Sequence, residues 1–358
     1  MKKKVDLEMV SEGNLSDPCL MATRSVGIRT TMPVGVDCPL NCKHCYQNGI
    51  SQYSMDLETN LLNIKRMAKD GVSKLYWDGA EPMTNKNVLD YLSLIEQLKN
   101  SGNYDENVFA TVSIATSGVL VNKDNAQRLF DSGLSSIMVS LDGGTENTHD
   151  SFRSRGVFKK VMRAIDTLVN VGYDVRLGTA LWQGMLEEVE EIVRIGADKG
   201  VKEVSFNWVQ PVGNALKIPG ILVDNCYFRD VANTVSEIEE KYSGIVGVNM
   251  HRRNEIDGSK MCKGGKQITY VAEDWVAPCS WMNVVAPEFR SKMSLKNFGL
   301  QEILDYDENI QRFRSLVEDI SSDGALCPAI CKMYNGSYVG PDPNSKNGVF
   351  SINQVSLR

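Results

Sequence analysis

The chain has 358 residues, 42% of them hydrophobic and 23% charged, a globular balance that excludes a wholly disordered protein. Its 39 Lys and Arg stand against 45 Asp and Glu, a net charge of −6, so nucleic acid and anionic membrane surfaces are not expected partners. No apolar run reaches the ~18 residues of a membrane span, and the start, MKKKVDLEMVSEG, lacks the apolar stretch of a secretory signal.

After an N-terminal extension, residues 1–23, short β-rich runs alternate with longer helical patterns. Strands are expected at 26–31, 74–78, 109–115, 136–141, 175–180 and 203–209. Helices are expected at 57–69, 86–99, 123–131, 157–170, 185–199 and 225–241. The window 157–170 is the clearest, because Val157, Val161, Ala164, Ile165, Leu168 and Val169 fall on one helical face. Six β-then-α units in series imply an α/β fold of parallel strands with right-handed crossovers. An open doubly wound sheet and a barrel both fit. In either, chemistry gathers at the carboxyl ends of the strands. The rhythm occupies 24–244 and stops after Lys241. Residues 245–340 carry Gly-rich, Cys-bearing loops, β-like runs at 268–272 and 275–277 and one helix at 300–315, which predicts a smaller second domain. The tail, 341–358, is polar and turn-rich.

The chain is expected to be cytosolic, and there its nine cysteines point to metal or redox chemistry rather than disulfides. The first set is Cys38-Pro-Leu-Asn-Cys42-Lys-His-Cys45-Tyr46, in the loop after the first strand. Three thiolates can hold three irons of a 4Fe–4S cube and leave the fourth iron open to a substrate-like ligand. A zinc knuckle with His44 as fourth ligand competes on spacing alone. The second set is Cys262, Cys279, Cys327 and Cys331, four thiols that can close one cluster completely, or form a zinc ribbon. A closed site reads as structural or electron-transferring. Cys19 and Cys226 are left over; such residues are commonly small core hydrophobes.

The Cys-x3-Cys-x2-Cys run followed by an aromatic resembles the hallmark of radical S-adenosylmethionine (radical SAM) enzymes. The likeness continues loop by loop. Asp78-Gly79-Ala80-Glu81-Pro82 is similar to the family's GGEP segment, with Ala80 for the second Gly. Thr116-Ser117-Gly118 resembles its TNG segment. Ser140-Leu141-Asp142-Gly143 resembles a VSLDG segment, followed by His149-Asp150 and Arg153. Pro211-Val212-Gly213-Asn214-Ala215 looks like the family's turn after the sixth strand. The stretch from Cys262 to Cys279 is similar to the opening of a SPASM domain. Four cysteines there rather than seven fit the shorter twitch variant with one auxiliary cluster.

This resemblance implies a partial (β/α)6 TIM-like barrel followed by a smaller Cys-rich twitch/SPASM-like domain. It implies that Cys38, Cys42 and Cys45 hold a SAM-binding 4Fe–4S cluster and that Cys262, Cys279, Cys327 and Cys331 hold one auxiliary 4Fe–4S cluster. Open backbone at Gly79 and Ala80 would meet the methionine ammonium, with Glu81 and Pro82 fixing that edge. Arg153 would grip the methionine carboxylate and Ser140 the ribose or methionyl part. Gly213 after Pro211 would pass close to the adenine. Tyr46, His44 and Ser117 complete the implied cofactor site. S-adenosylmethionine would be cleaved reductively to a 5′-deoxyadenosyl radical that abstracts hydrogen from an unactivated C–H. The outcome would be oxidation, epimerisation or cross-linking, with the auxiliary cluster transferring electrons and a flavodoxin or ferredoxin as donor. Cys226 is a candidate hydrogen donor to a substrate radical. With only about 20 residues before the first strand, too few for a packed leader-binding domain, a small molecule (amino-sugar, cyclitol or nucleotide) or a leader-free peptide is the expected substrate. The rival is an inactive zinc-binding interaction module on the same scaffold.

Overall fold

Seven strands and seven helices follow one another from β1 (Ile28–Pro33) through α1 (Leu57–Lys69), β2 (Val72–Asp78), α2 (Val88–Asn100), β3 (Thr111–Thr116), α3 (Lys123–Asp131) and β4 (Ser136–Ser140). They continue with α4 (Glu146–Phe152), α5 (Phe158–Val171), β5 (Asp174–Leu181), α6 (Val189–Asp198), β6 (Glu203–Trp208), α7 (Asn225–Lys241) and β7 (Gly247–Met250). The computed structural model describes residues 28–47, 56–134, 136–210, 212–222, 225–250, 262–322, 339–340 and 350–351.

These seven strands are parallel and stand in the order β7-β6-β5-β4-β3-β2-β1. A doubly wound sheet reverses its strand order at a switch point, and this one never does. With right-handed crossovers, sequential order puts the helices on one face, the winding of a barrel. Side chains confirm the two faces. Leu75, Trp77, Val112, Ile114, Ile137, Val139, Leu177 and Phe206 are buried against helix residues such as Ile64, Met67, Tyr91, Val161, Ile165 and Ile192. Each such burial contributes about 1.5–3 kcal/mol. On the other face Tyr76, Ser113, Met138 and Gly178 are half-buried. Tyr76 Oη reaches Met138 Sδ two strands away, at 3.5 Å. Gly172, at φ +106°, ends α5 in the left-handed region, where glycine is unstrained.

The sheet does not end at residue 244. β7 extends it on one edge, and β8 (Ile268–Ala272) from the Cys-rich region pairs parallel with β1 on the other. Thr30 and Thr269 share a buried hydroxyl hydrogen bond of 2.9 Å across that seam. β9 (Trp275–Ala277) returns antiparallel to β8 through a turn with Glu273 at φ +50°. The Cys-rich region is therefore sewn into the barrel sheet rather than appended to it.

The single helix read at 300–315 is two, α9 (Leu300–Tyr306) and α10 (Glu308–Ser322), preceded by a short α8 (Ser280–Val285). The break is at Asp307, which is 1% exposed. Its Oδ1 accepts from the amides of Asn309 and Ile310, capping α10, and its Oδ2 from those of Lys292 and Met293, both at 2.7 Å. Among the described residues no helix is long and apolar enough to cross a membrane.

Candidate functional site

The loop after β1 carries Cys38, Cys42 and Cys45, and three other segments hold it. From the end of β2, the Asp78 carbonyl accepts from Val34 N at 2.8 Å, and Glu81 N donates to Asp37 O at 2.8 Å. Gly35 packs so closely here that a Cβ would lie 2.0 Å from Gly79 O. From the end of α4, Phe152 O accepts from Lys43 N at 3.0 Å. From the turn after β6, Asn214 donates its backbone N–H to Cys45 O (3.0 Å) and its Nδ2 to Cys42 O (2.9 Å) and Asn41 Oδ1 (3.1 Å). Gly213, at φ +58°, lies against the loop, and a Cβ there would be 2.3 Å from Cys45 O. Gly213 thus faces the cysteine loop, a role its spacing did not suggest. Pro211 lies outside the described residues.

Cys42 is 8% exposed and burial pushes its thiol up to about 11, although Arg153 opposes this. Burial also raises Cys38. Thiols held neutral in this way become ligands by giving their protons up to a metal. Cys38, Cys42, Cys45, Cys262 and Cys279 are all free of disulfide bonds. His44 does not join them. Its ring stacks on Phe152 with centroids 4.8 Å apart, and its Nε2 lies 3.7 Å from Asp142. Among the described residues, no three His, Cys, Asp or Glu converge as a single metal ion requires. A zinc knuckle would need His44 to leave Phe152 and Asp142. Three separate thiols on one loop fit a cube, whose irons take one thiolate each.

Beneath Cys42 lies a buried ionic centre. Asp142 is 0% exposed; its Oδ2 accepts from Arg153 Nε at 2.5 Å and its Oδ1 from Ala180 N at 2.8 Å. Burial acts to raise the Asp142 pKa, but Arg153, His44, His149 and the Ala180 amide outweigh it, and the carboxyl lies below its ordinary range. Arg153 Nη1 is 3.9 Å from Cys42 Sγ. His149 Nδ1 accepts from Asp142 N at 3.0 Å. Burial presses both His44 and His149 down to about 4, so both are neutral near pH 7.

Two of the residues read as ligand contacts are engaged with protein. Glu81, 1% exposed, accepts from Thr116 Oγ1 (2.7 Å), Met83 N (3.2 Å) and Ser117 N (2.8 Å), and from the Ser117 hydroxyl. Glu81 and Ser117 thus brace the ends of β2 and β3 against each other. Gly79 (φ +82°) and Ala80 (φ +39°) both adopt left-handed backbone; Ala80 is exposed, and its amide donates to Gln47 Oε1 at 2.5 Å. Ser140 is the half-buried last residue of β4 on the inner face.

Tyr46 links the loop to both halves of the molecule. Its hydroxyl donates to Asp78 Oδ2 at 3.0 Å and accepts from Gln47 Nε2 at 2.8 Å, and its ring meets Trp281 at 5.0 Å. Cys262 and Cys279 pack against an apolar cluster of Met282, Ala286, Phe289, Phe313 and Val317. Cys279 caps α8, its Sγ accepting from Met282 N at 3.4 Å. Cys19, Cys327 and Cys331 lie outside the described residues. Cys226 is the second residue of α7, with its side chain outside them. Asp142, Asn214, Gln47 and Asp78 were not expected as site residues. Asp78, Asp142 and Asn214 lie inside quoted motifs, but nothing local marks their distant partners.

The family model for the Radical SAM superfamily matches residues 32–195. The AdoMet-dependent heme synthase of Methanosarcina barkeri is 25% identical over 327 residues, covering 81% of this chain and 85% of that one. Among solved structures, Streptococcus suis SuiB bound to precursor peptide SuiA is similar at a TM-score of 0.66 and 15% identity, covering 81% of this chain and 67% of that one. The anSMEcpe structure with bound AdoMet and Kp18Cys peptide matches at 0.65 and 17%, covering 91% and 92%. These likenesses accord with a partial barrel.

Proposed function

We propose, for a chain whose residues 32–195 form a radical SAM domain and which is an enzyme of that superfamily, that the cysteine loop is its catalytic centre and a peptide its substrate. The superfamily's cofactors are a 4Fe–4S cluster and S-adenosylmethionine, and when bound they supply a 5′-deoxyadenosyl radical that takes a hydrogen atom from a substrate C–H. The observation that carries the reading is the set of three thiols, Cys38, Cys42 and Cys45, on one loop braced at β2, α4 and the turn after β6.

This chain's residues then divide the work. Cys38, Cys42 and Cys45 hold the three irons, each surrendering a proton. Asn214 and Gly213 keep Cys42 and Cys45 in place through their carbonyls. Gly79 and Ala80 offer backbone to the methionine ammonium. Arg153, steadied by Asp142, keeps guanidinium N–H groups for the methionine carboxylate. Ser140 serves the ribose or methionyl part. The barrel excludes water, since such a radical attacks whatever is near. Cys262 and Cys279, with Cys327 and Cys331, hold one auxiliary 4Fe–4S cluster for electron transfer. Cys226 is the candidate hydrogen donor to a substrate radical, a flavodoxin- or ferredoxin-type protein supplies electrons, and the cytosol is the compartment.

The peptide assignment is supported by the peptide-bound neighbour that matches this chain almost end to end. The heme synthase relative favours a small molecule as the second reading. The test is anaerobic reconstitution. Wild type should be brown, carry about eight irons and release 5′-deoxyadenosine on reduction with S-adenosylmethionine. Replacing Cys38, Cys42 and Cys45 by Ala should leave about four irons and no 5′-deoxyadenosine. A colourless wild type binding zinc overturns the reading.

A further inference from the structure

Asp78 is the last residue of β2, at the carboxyl end where the strand hands over to Gly79 and Ala80. Its neighbour Trp77 is fully buried on the outer face, meeting Tyr91 of α2 at 6.0 Å. Alternation therefore puts Asp78 on the inner face above Tyr76. Its Oδ2 is held by the Tyr46 hydroxyl at 3.0 Å. Its Oδ1 is shut from solvent and has no hydrogen-bond partner among the described residues. No ion pair within 4.0 Å reaches it from any described Lys, Arg or His. The groups around it are Tyr46 from the cysteine loop, whose hydroxyl also accepts from Gln47 Nε2, and Tyr76 on its own strand; Arg29, over the Tyr76 ring at 5.9 Å, pairs in the strand register with Lys74 rather than with the end of β2.

A buried carboxylate oxygen without a partner is costly, and natural proteins keep such groups for a ligand that completes them. Tyr46 fixes one oxygen and so aims the other. The segments on either side, Tyr46 after Cys45 and Gly79–Ala80, are those read above as framing the cofactor site. S-adenosylmethionine is unusual among nucleosides in carrying a fixed positive charge on sulfur.

We propose that Asp78 is the counter-ion of the sulfonium, so that this enzyme distinguishes S-adenosylmethionine from the uncharged thioether S-adenosylhomocysteine by charge as well as shape. The inference rests on the cofactor site proposed above and adds a specificity-determining residue to it. Burial alone pushes the Asp78 carboxyl up to about 7, against the Tyr46 hydrogen bond; a cation beside it favours the ionised form.

The test is equilibrium binding of both nucleosides to anaerobically reconstituted wild type, Asp78→Asn and Asp78→Glu at pH 8. Asn keeps an acceptor for Tyr46 and removes the charge. Asp78→Asn should weaken S-adenosylmethionine roughly tenfold or more and S-adenosylhomocysteine hardly at all, with iron content unchanged. Asp78→Glu should retain the preference for the sulfonium. Equal affinity of wild type and Asp78→Asn for S-adenosylmethionine, or equal weakening of both nucleosides, overturns the proposal. A wild type that takes up no iron or binds neither nucleoside overturns the cofactor site itself, a distinct result.

Discussion

Replacing Arg153 by Met should be among the most damaging single changes near the cysteine loop. Arg153 gives Asp142 a charge-assisted hydrogen bond of 2.5 Å at a site with 0% exposure. Without it the carboxylate retains the Ala180 amide at 2.8 Å and the His44 ring at 3.7 Å. His44 and His149 are neutral near pH 7, so neither restores the missing cation. Breaking a buried pair from one side costs about 3–5 kcal/mol, a large share of the roughly 5–15 kcal/mol that holds a domain folded. Urea unfolding of the metal-free protein measures it. Adding Asp142→Asn to Arg153→Met removes the stranded charge and should regain about half of the loss. The pH dependence adds a second check. Arg153 now depresses both histidines, so its removal lets their pKa values rise toward the ordinary value. A protonated His44 then partly replaces the guanidinium, and the cost of Arg153→Met should be smaller at pH 5.5 than at pH 8. A single-variant loss under about 1 kcal/mol, or no recovery in the double variant, refutes the reasoning.

Three further outcomes follow from the same contacts. Gly213→Ala forces a left-handed φ of +58° on an L-residue and drives a Cβ to within 2.3 Å of Cys45 O; it should destabilise by about 2 kcal/mol or more and lower iron uptake on reconstitution, read by unfolding and iron analysis. Glu81→Ala strands the buried donors of Thr116 and Ser117 and should cost roughly 2–3 kcal/mol in chemical unfolding, with the end of β3 losing amide-exchange protection. Asp78 has a raised folded pKa, about 7 against 3.8, so the metal-free wild type should lose stability as pH rises from about 4 to about 7, by up to roughly 4 kcal/mol. Asp78→Asn should lack that decline, and an identical pH slope in both proteins counts against a carboxyl buried without a counter-charge.

Strand and helix order was legible because the outer face of every barrel strand is read twice, once in the strand and once in the helix that covers it. Val161, Ala164, Ile165 and Leu168 announce α5 by their spacing, and the same residues are buried against the sheet. The cysteine loop was legible because three thiols within eight residues are hard to explain otherwise. Positions whose conformation depends on a distant partner were not legible. The turn between α9 and α10 exists because Asp307 captures the amides of Lys292 and Met293, and no periodicity across 300–315 contains them. β8 joins β1 across more than two hundred residues. The ligand-site reading was limited in the same way. A motif states which side chains stand near the cofactor, but whether their hydrogen-bonding groups face it is settled by partners elsewhere. Ser117 turns both its donors to Glu81, 36 residues away, and Arg153 turns Nε to Asp142. Asn214 reaches back 172 residues to Cys42. Asp78 is the converse case, a motif-edge residue that spacing left without a role and that has one oxygen unsatisfied among the described residues beside the loop. A group that folding leaves incomplete is a better pointer to a ligand than one that merely belongs to a motif, because the protein bears the cost of the first whether or not the ligand is there.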